Sequence, residues 1–462
     1  MTPLVVANTV GLTSEMLPWA PRLQRLADRG WVRPLREVLP AVTCPAQASM
    51  LTGHAPQVHG IVGNGWLHRD TMEVRFWHQS NRLIRAEPIY RIARRHREQV
   101  GRPFTCAKLF WWFNQGADVD WSITPKPYYG ADGDKIFAIS GRPSDLPVEL
   151  ERALGPFPFA AFWGPFAGLP SSLWIAQAAA WVLRQYRPDL LLVYVPHLDY
   201  DTQRYGPSPP VLARIVSELD RALEPLCDAV RDTGARLWIV NEYAHVPVQR
   251  PVYVNRWLRQ KGYLAVRDGP FGEYLETFES RAFAVCDHQF AHVYVREPQE
   301  LPALKEQLAQ LPGIGKVWTR DEAATIELDH ERAGDLIVQA LPDTWFAYPY
   351  WLDDRRAPDF ARTVDIHRKP GYDPCELLLD PQLAWPRLRL FWRVLQKRLG
   401  LRTLFDVIPL RAELIRGSHG LPASYDSQRP VFIADGPPPD EQVLPTTAVF
   451  RYVLRALIED ST

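Results

Sequence analysis

The residue types able to do chemistry gather at a few points of this chain. Thr43 lies in PAVTCPAQASMLTGHAPQVHGIVGNGW, residues 40–66, two places before Pro45, and the run AQASML leads on to Gly53. Proline fits the first turn of a helix, where its missing N–H costs nothing, and glycine stops one, so the spacing predicts a helix with Thr43 at its N-terminus. Unpaired N–H groups and the positive dipole end favour an anion there, and a phosphoryl group beside the Thr43 hydroxyl would be stabilised. Threonine in that place is also an ordinary N-cap. Further candidates follow apolar runs. Asp199 and Asp201 come after DLLLVYV, Glu242 after RLWIV, and Asn8 near the end of PLVVANTV. In open parallel sheets functional groups collect at the carboxyl ends of strands, so these groups are expected together, beside Thr43.

Positioning them needs a sheet. Residues 3–10, TCAKLF at 105–110, DLLLVYV at 189–195 and RLWIVN at 236–241 are apolar runs separated by segments of helical spacing such as SSLWIAQAAAWVLRQY and LARIVSELDRALEPLCDAV. Continuous apolar strands alternating with helices indicate a mostly parallel sheet covered on both faces. From about 266 to 345 the pattern changes to AFAVCDHQFAHVYV, the helix-like LPALKEQLAQL, a G-I-G turn, and strand-like TIEL and DLIVQAL. That reads as an α+β insertion, after which residues 346–462 either return to complete the core or form a separate C-terminal domain.

Composition bounds the rest. At 462 residues the chain can bury a large core, and Lys plus Arg equals Asp plus Glu at 53 each, so no net field favours nucleic acid or an anionic membrane. Forty-three prolines, roughly twice average usage, imply many rigid loops. Five cysteines, none in a C-x-x-C pair, argue against a disulfide framework or a zinc knot. MTPLVVANTVGL lacks a basic leader and no run approaches 18 apolar residues, so a cytoplasmic location without membrane association is expected. Oligomeric state is left open.

The run T-C-P-x-x-x-x-x-L-T-G-x-x-P-x-x-H-G-I-V-G-N resembles the nucleophile segment of the nucleotide pyrophosphatase/phosphodiesterase family, in the alkaline phosphatase superfamily and related to the phosphonoacetate hydrolases. The resemblance implies an alkaline-phosphatase-like three-layer α/β/α sandwich, with residues 1–265 and 346–462 as catalytic core and 266–345 as an inserted α+β cap. It also implies a threonine nucleophile at Thr43, a phosphoryl-oxygen ligand at Asn64, and one or two divalent metal ions. VPHLDYDTQRYGP resembles the family's Asp-x-x-x-His metal motif, with Asp199 in place and Gln203 at the histidine. IVNEYAHV resembles a strand ending in Asp-His-Gly, with Glu242 and Tyr243 in the first two places, Tyr243 then falling to the substrate. Asn8 stands near the first-strand aspartate position, and RGSHGLP supplies His419 as the last ligand. Cys44 and Ala46 depart from the usual aromatic residue and asparagine.

Amide and carboxylate oxygen donors at Gln203 and Glu242, in a site whose expected imidazoles are replaced by Gln203 and Tyr243, favour Mg²⁺ or Mn²⁺ over Zn²⁺. Asp365 and His367 in RTVDIHRKPGYDP project on one side if that backbone is extended, which suits metal ligation, so His367 is a candidate to replace a missing imidazole. A salt-bridged loop explains them equally well. Asp287, His288 and His292 in CDHQFAHVYV receive no role. Lys126 lies where the related phosphonoacetate hydrolases have substrate-binding lysines, though a solvated lysine is the default. The expected activity is metal-dependent phosphodiester or pyrophosphate hydrolysis of a small phosphorylated substrate. A fold-retaining accessory or binding protein with a degenerate metal site is the alternative.

Overall fold

The computed structural model describes residues 2–131, 135–399 and 403–459. In chain order the strands that matter are β1 (Leu4–Asn8), β2 (Trp31–Arg36), β3 (Cys106–Leu109), β4 (Trp121–Pro125), β5 (Ile139–Arg142), β6 (Leu190–Tyr194), β7 (Arg236–Val240), β8 (Ala282–Asp287), β9 (Phe290–Val295), β10 (Ile314–Thr319), β11 (Leu336–Ala340), β12 (Val431–Ala434) and β13 (Leu444–Pro445). Nine of them form one sheet in the order β13-β2-β12-β7-β1-β6-β3-β4-β5. Its centre is parallel, with β1 between β6 and β7 and β3 paired to β6 and β4, while β12 and β5 run antiparallel to their neighbours.

The two faces are covered separately. Val5 and Ala7 of β1 pack into a core shared with the helices Pro21–Arg29, Leu169–Tyr186 and Pro209–Ala222. Leu4 and Val6 point the other way, into a core shared with Thr43–Thr52, Ile89–Gln99 and Ala448–Glu459. A strand buried on both faces has no polar side to show, which is why LVVAN and LLLVY read as unbroken apolar runs. The result is an α/β sandwich of three layers with a large, mostly parallel sheet.

Residues 282–340 carry a second sheet, antiparallel, in the order β8-β9-β11-β10. Two expectations change at this level. TIEL is no strand, because Glu322–Ile326 is a 3₁₀ turn. Glu322 accepts from the Thr319 backbone N–H while its own N–H donates to the Thr319 hydroxyl, a reciprocal pair that starts a helical turn. LARIVSELDRALEPLCDAV is two helices, Pro209–Ala222 and Glu224–Thr233, the second opening on Pro225. Among the described residues no helix is long and apolar enough to cross a membrane.

Candidate active site

Thr43 is the first residue of its helix and Val42 the N-cap, in extended conformation; the helix stops at Gly53, whose φ of 72° is the left-handed one glycine takes without strain. The buried Thr43 hydroxyl does not cap the helix. It lies 3.1 Å from the Tyr243 hydroxyl. The adjacent Cys44 N–H donates to Asn64 Oδ1 at 3.0 Å, so one helix N-terminal donor is already engaged. Asn64 is held in turn by Asp287, at the end of β8, whose carboxylate accepts from the Asn64 backbone N–H at 2.7 Å and from Nδ2 at 3.0 Å. Burial raises the Asp287 carboxyl to about 7, although both Asn64 donors pull it down.

The three central strands end side by side, and the loops beyond them supply the polar groups. Asn241, at the end of β7, ties it to the segment after β1 and to the start of β12: its Oδ1 accepts from the Thr9 hydroxyl at 3.0 Å and the Leu12 N–H at 3.2 Å, and its Nδ2 donates to the Val431 carbonyl at 3.0 Å. Glu242 comes next, fully buried, with Asn8 Nδ2 at 2.5 Å and Gln47 Nε2 at 2.6 Å both donating to Oε1. Burial lifts this carboxyl to about 8, against the pull of Gln47, Asn8 and the nearby Thr43 hydroxyl. Glu242 is therefore an acid near neutral pH, and its Oε2 makes no hydrogen bond.

Tyr243 connects the Thr43 hydroxyl to a second cluster. Its hydroxyl donates to Asp199 Oδ1 at 3.4 Å, and its ring stacks on His419 with centroids 3.6 Å apart. Asp199 sits in the first turn of the helix His197–Tyr205, and His245 Nε2 lies 2.9 Å from its Oδ1. Burial raises the Asp199 carboxyl, but His245 and then His419 hold it below the usual range.

Among the described residues one group of His, Cys, Asp and Glu side chains brings three ligand atoms within 4.8 Å of one another: Asp199, His245 and His419. The donors suit a cation. His419 Nδ1 is 2.9 Å from the Ala41 carbonyl, which takes the N–H there and leaves the buried Nε2 as a lone pair without a partner. Burial, first, and then His288 keep His419 neutral, the state a ligand needs. Gly11, at φ 86°, leaves room for the His245 ring, whose atoms would lie 3.1 Å from an added Cβ. The residues around Glu242 are different in kind. Two amide N–H groups already fill one carboxyl oxygen, and imidazole is missing.

The second sheet closes one side. His288, at the β8–β9 turn with φ 57°, stacks between His419 and Tyr372 at 3.6 and 3.8 Å. Burial keeps it neutral. A cavity of about 380 Å³ opens beside Thr43, Asp199, Tyr243 and His288, and its walls are largely aromatic, among them Trp77, Trp112, Phe162, Trp163, Tyr200 and Tyr372. Exposed Lys126 and half-buried Lys135 also line it.

The sequence candidates therefore separate. Thr43, Tyr243, Asp199 and His419 come together; Asn64 supports the helix start without lining the cavity. Asn8 turns to Glu242, and Gln203 Oε1 accepts from the Tyr372 hydroxyl at 2.7 Å. Asp365 pairs with Arg368 at 2.6 Å, and His367 lines the cavity with Nδ1 3.2 Å from the Phe76 carbonyl; neither belongs to the three-residue cluster. The loop around them is fixed by buried Lys369 between Asp373 and Glu376, each at 2.7 Å. His245 is the residue that sequence reasoning omits. Its signal is a histidine one place beyond the three positions of the resembled Asp-His-Gly, in a loop leaving a strand end.

The family model described as type I phosphodiesterase / nucleotide pyrophosphatase matches residues 4–373. No curated protein matches the chain in sequence. Phosphonoacetate hydrolase from Sinorhizobium meliloti 1021, solved with phosphonoformate, shares the fold at a TM-score of 0.61 and 17% identity, over 99% of this chain and 96% of that one. Murine ectonucleotide pyrophosphatase / phosphodiesterase 5 does so at 0.58 and 14%, over 99% and 95%. At these identities what the two share with this chain is the fold.

Proposed function

The chain belongs to the type I phosphodiesterase / nucleotide pyrophosphatase family, and from that premise we propose that it hydrolyses a phosphodiester or related phosphoryl compound through Thr43. The observation that carries this reading is the Thr43 hydroxyl standing in an aromatic cavity with Asp199, joined to it through Tyr243. Because the single Tyr243 hydroxyl proton goes to Asp199, Thr43 is the donor in its contact with the Tyr243 oxygen, which turns the Thr43 proton away and leaves oxygen lone pairs for attack. Thr43 Oγ1 bonds to phosphorus as the P–O bond to the leaving group breaks; the electron pair of that bond departs with the leaving oxygen, and the Thr43 proton passes by way of the Tyr243 hydroxyl toward the Asp199 carboxylate. Water then attacks the phosphothreonine and restores the hydroxyl. Asp199, His245 and His419 would hold a divalent ion, which would supply positive charge to the reaction and lower the pKa of a hydroxyl bound to it.

Two imidazoles and a carboxylate form a donor set of borderline softness, suited to Zn²⁺ as well as Mn²⁺. The preference for Mg²⁺ or Mn²⁺ depends on Gln203 and Glu242 as ligands, and those two side chains hold other partners. One ion per chain is then the expected content, with a proton on Glu242 in place of a second. The walls favour a substrate with a flat or bulky apolar group beside its phosphoryl centre, and Lys126, which lines the cavity, would meet its negative charge. Residues 266–345 act as a cap, since Asp287 steadies Asn64 and His288 buttresses His419.

Metal content and turnover of bis(p-nitrophenyl) phosphate, measured on one preparation, test this. About one ion per chain with turnover that a chelator abolishes is the expected result. Metal-free protein that binds aryl phosphates without cleaving them would leave the accessory-protein reading in its place.

A further inference from the structure

The segment between Asp380 and Asp406 is unlike the rest of the surface. Its helix Pro386–Arg398 presents Leu388, Phe391 and Trp392 at 63, 64 and 56% exposure, with Trp385 just before it at 77% and Leu399 just after it at 68%. At about 100° per residue, Leu388, Phe391, Trp392 and half-buried Leu395 fall within an arc of roughly 100°. Side chains three and four apart lie on one helix face, so these form a continuous apolar strip open to solvent. Burying large apolar side chains is the main favourable term in folding, and a strip of this kind left outside marks a place where something else covers it.

What covers it is indicated by charge. Residues 381–405 hold Arg387, Arg389, Arg393, Lys397, Arg398 and Arg402 and no Asp or Glu, in a chain whose overall charge is zero. Arg389 and Arg393 both pair with Asp406 on one flank of the strip, which fixes the helix to the body with its apolar side outward. Apolar and tryptophan side chains on one face, arginine and lysine interspersed along the sequence and acids excluded form the pattern of a helix lying in the interface of a bilayer. A protein partner of ordinary composition gives no reason to exclude acids over that length of chain.

We propose that the helix Pro386–Arg398 docks this protein on the surface of an anionic lipid bilayer, its Leu388–Phe391–Trp392 strip entering the headgroup–acyl boundary. No span is involved, and net charge and hydropathy windows both miss such an element, which is how the expectation of no membrane contact arises. The inference does not rest on the phosphodiesterase reading, since none of its residues lines the cavity beside Thr43.

Sedimentation of the full chain with vesicles tests it, using phosphatidylcholine alone and phosphatidylcholine mixed with phosphatidylglycerol. The expected result is pelleting with the mixed vesicles, at least tenfold weaker with phosphatidylcholine alone and reduced by salt. Phe391→Glu with Trp392→Glu should abolish pelleting while the melting temperature and the hydrolysis of soluble substrate stay as in the parent, because both side chains are exposed. Two results overturn the proposal: no pelleting of the parent, or pelleting that survives the double substitution. A parent that stays in solution and elutes as a dimer, dispersed to monomer by the same substitutions, would assign the strip to a second copy instead.

Discussion

The two halves of the site, both built at the ends of the central strands, have been finished in opposite ways. Around Asp199, two imidazoles converge on a carboxylate and at least one ring nitrogen is left as a buried lone pair. Around Glu242, amide N–H groups from Asn8 and Gln47 crowd one oxygen, and burial leaves the carboxyl protonated near neutral pH. A buried imidazole lone pair without a donor costs free energy unless a ligand fills it, whereas a buried carboxyl that keeps its proton avoids the far larger cost of a buried charge, even with its Oε2 unpartnered. The donor atoms of the first half thus fit a cation and those of the second a proton, with Thr43 and Tyr243 between them.

The sharpest way to break this comparison is at the residue both halves share. Thr43→Ala removes the oxygen proposed to attack phosphorus and should lower diester hydrolysis by roughly 10³-fold or more. Its melting temperature should stay near that of the parent, because the hydroxyl caps nothing. Turnover within tenfold of the parent would take Thr43 out of the chemistry.

Next in size is the cation half. His245→Ala should reduce metal occupancy by more than the roughly 10–100-fold expected for a mere support of a metal site. His367→Ala, which lies outside the cluster, should leave bound metal unchanged. Equal losses in the two variants, measured by elemental analysis after dialysis, would erase the boundary between the cluster and the Asp365–His367 loop. Gly11→Ala probes the same half more gently. The new methyl meets the His245 ring at 3.1 Å in a left-handed backbone, so stability should fall by about 1–3 kcal/mol and metal affinity with it.

Much of this architecture was legible. Strands buried on both faces advertise themselves as apolar runs, and Thr43, Asp199 and His419 sit in distinctive wording. Other parts were not, for physical reasons. Glu242 and Tyr243 occupy the slots where ligands were sought, yet one turns to Asn8 and Gln47 and the other to Thr43, while His245 reaches Asp199 from one place beyond. His288 owes its position to a left-handed turn joining β8 and β9, which brings an insertion residue against His419; no spacing along the chain encodes that. The Asp365–His367 pair, attractive as a metal motif, sits in a loop that Lys369, Asp373 and Glu376 hold in shape. TIEL misled because Thr319 and Glu322 close a turn ahead of it.

The smallest expected effect is the most discriminating, and it concerns Glu242→Gln. If the Glu242 half holds a proton, the neutral amide imitates the protonated carboxyl: one oxygen still accepts from Asn8 and Gln47, and an N–H stands where the O–H was. Metal content should remain one per chain, and a fall from two to one would show that a second ion uses Glu242. The pH dependence of stability gives an independent reading in metal-free protein. The folded pKa of about 8 lies above the 4.5 of the unfolded chain, so the folded state holds the extra proton between those values. The stability that proton contributes is complete below about pH 4.5 and is lost as the pH rises toward 8. The parent should therefore lose on the order of a few kcal/mol over that window from this group, and Glu242→Gln should flatten the slope by the same amount. Denaturant unfolding at pH 5 and pH 8 measures it. A slope unchanged by the substitution would mean that Glu242 is ionised in the folded protein, and the comparison between a cation half and a proton half would collapse.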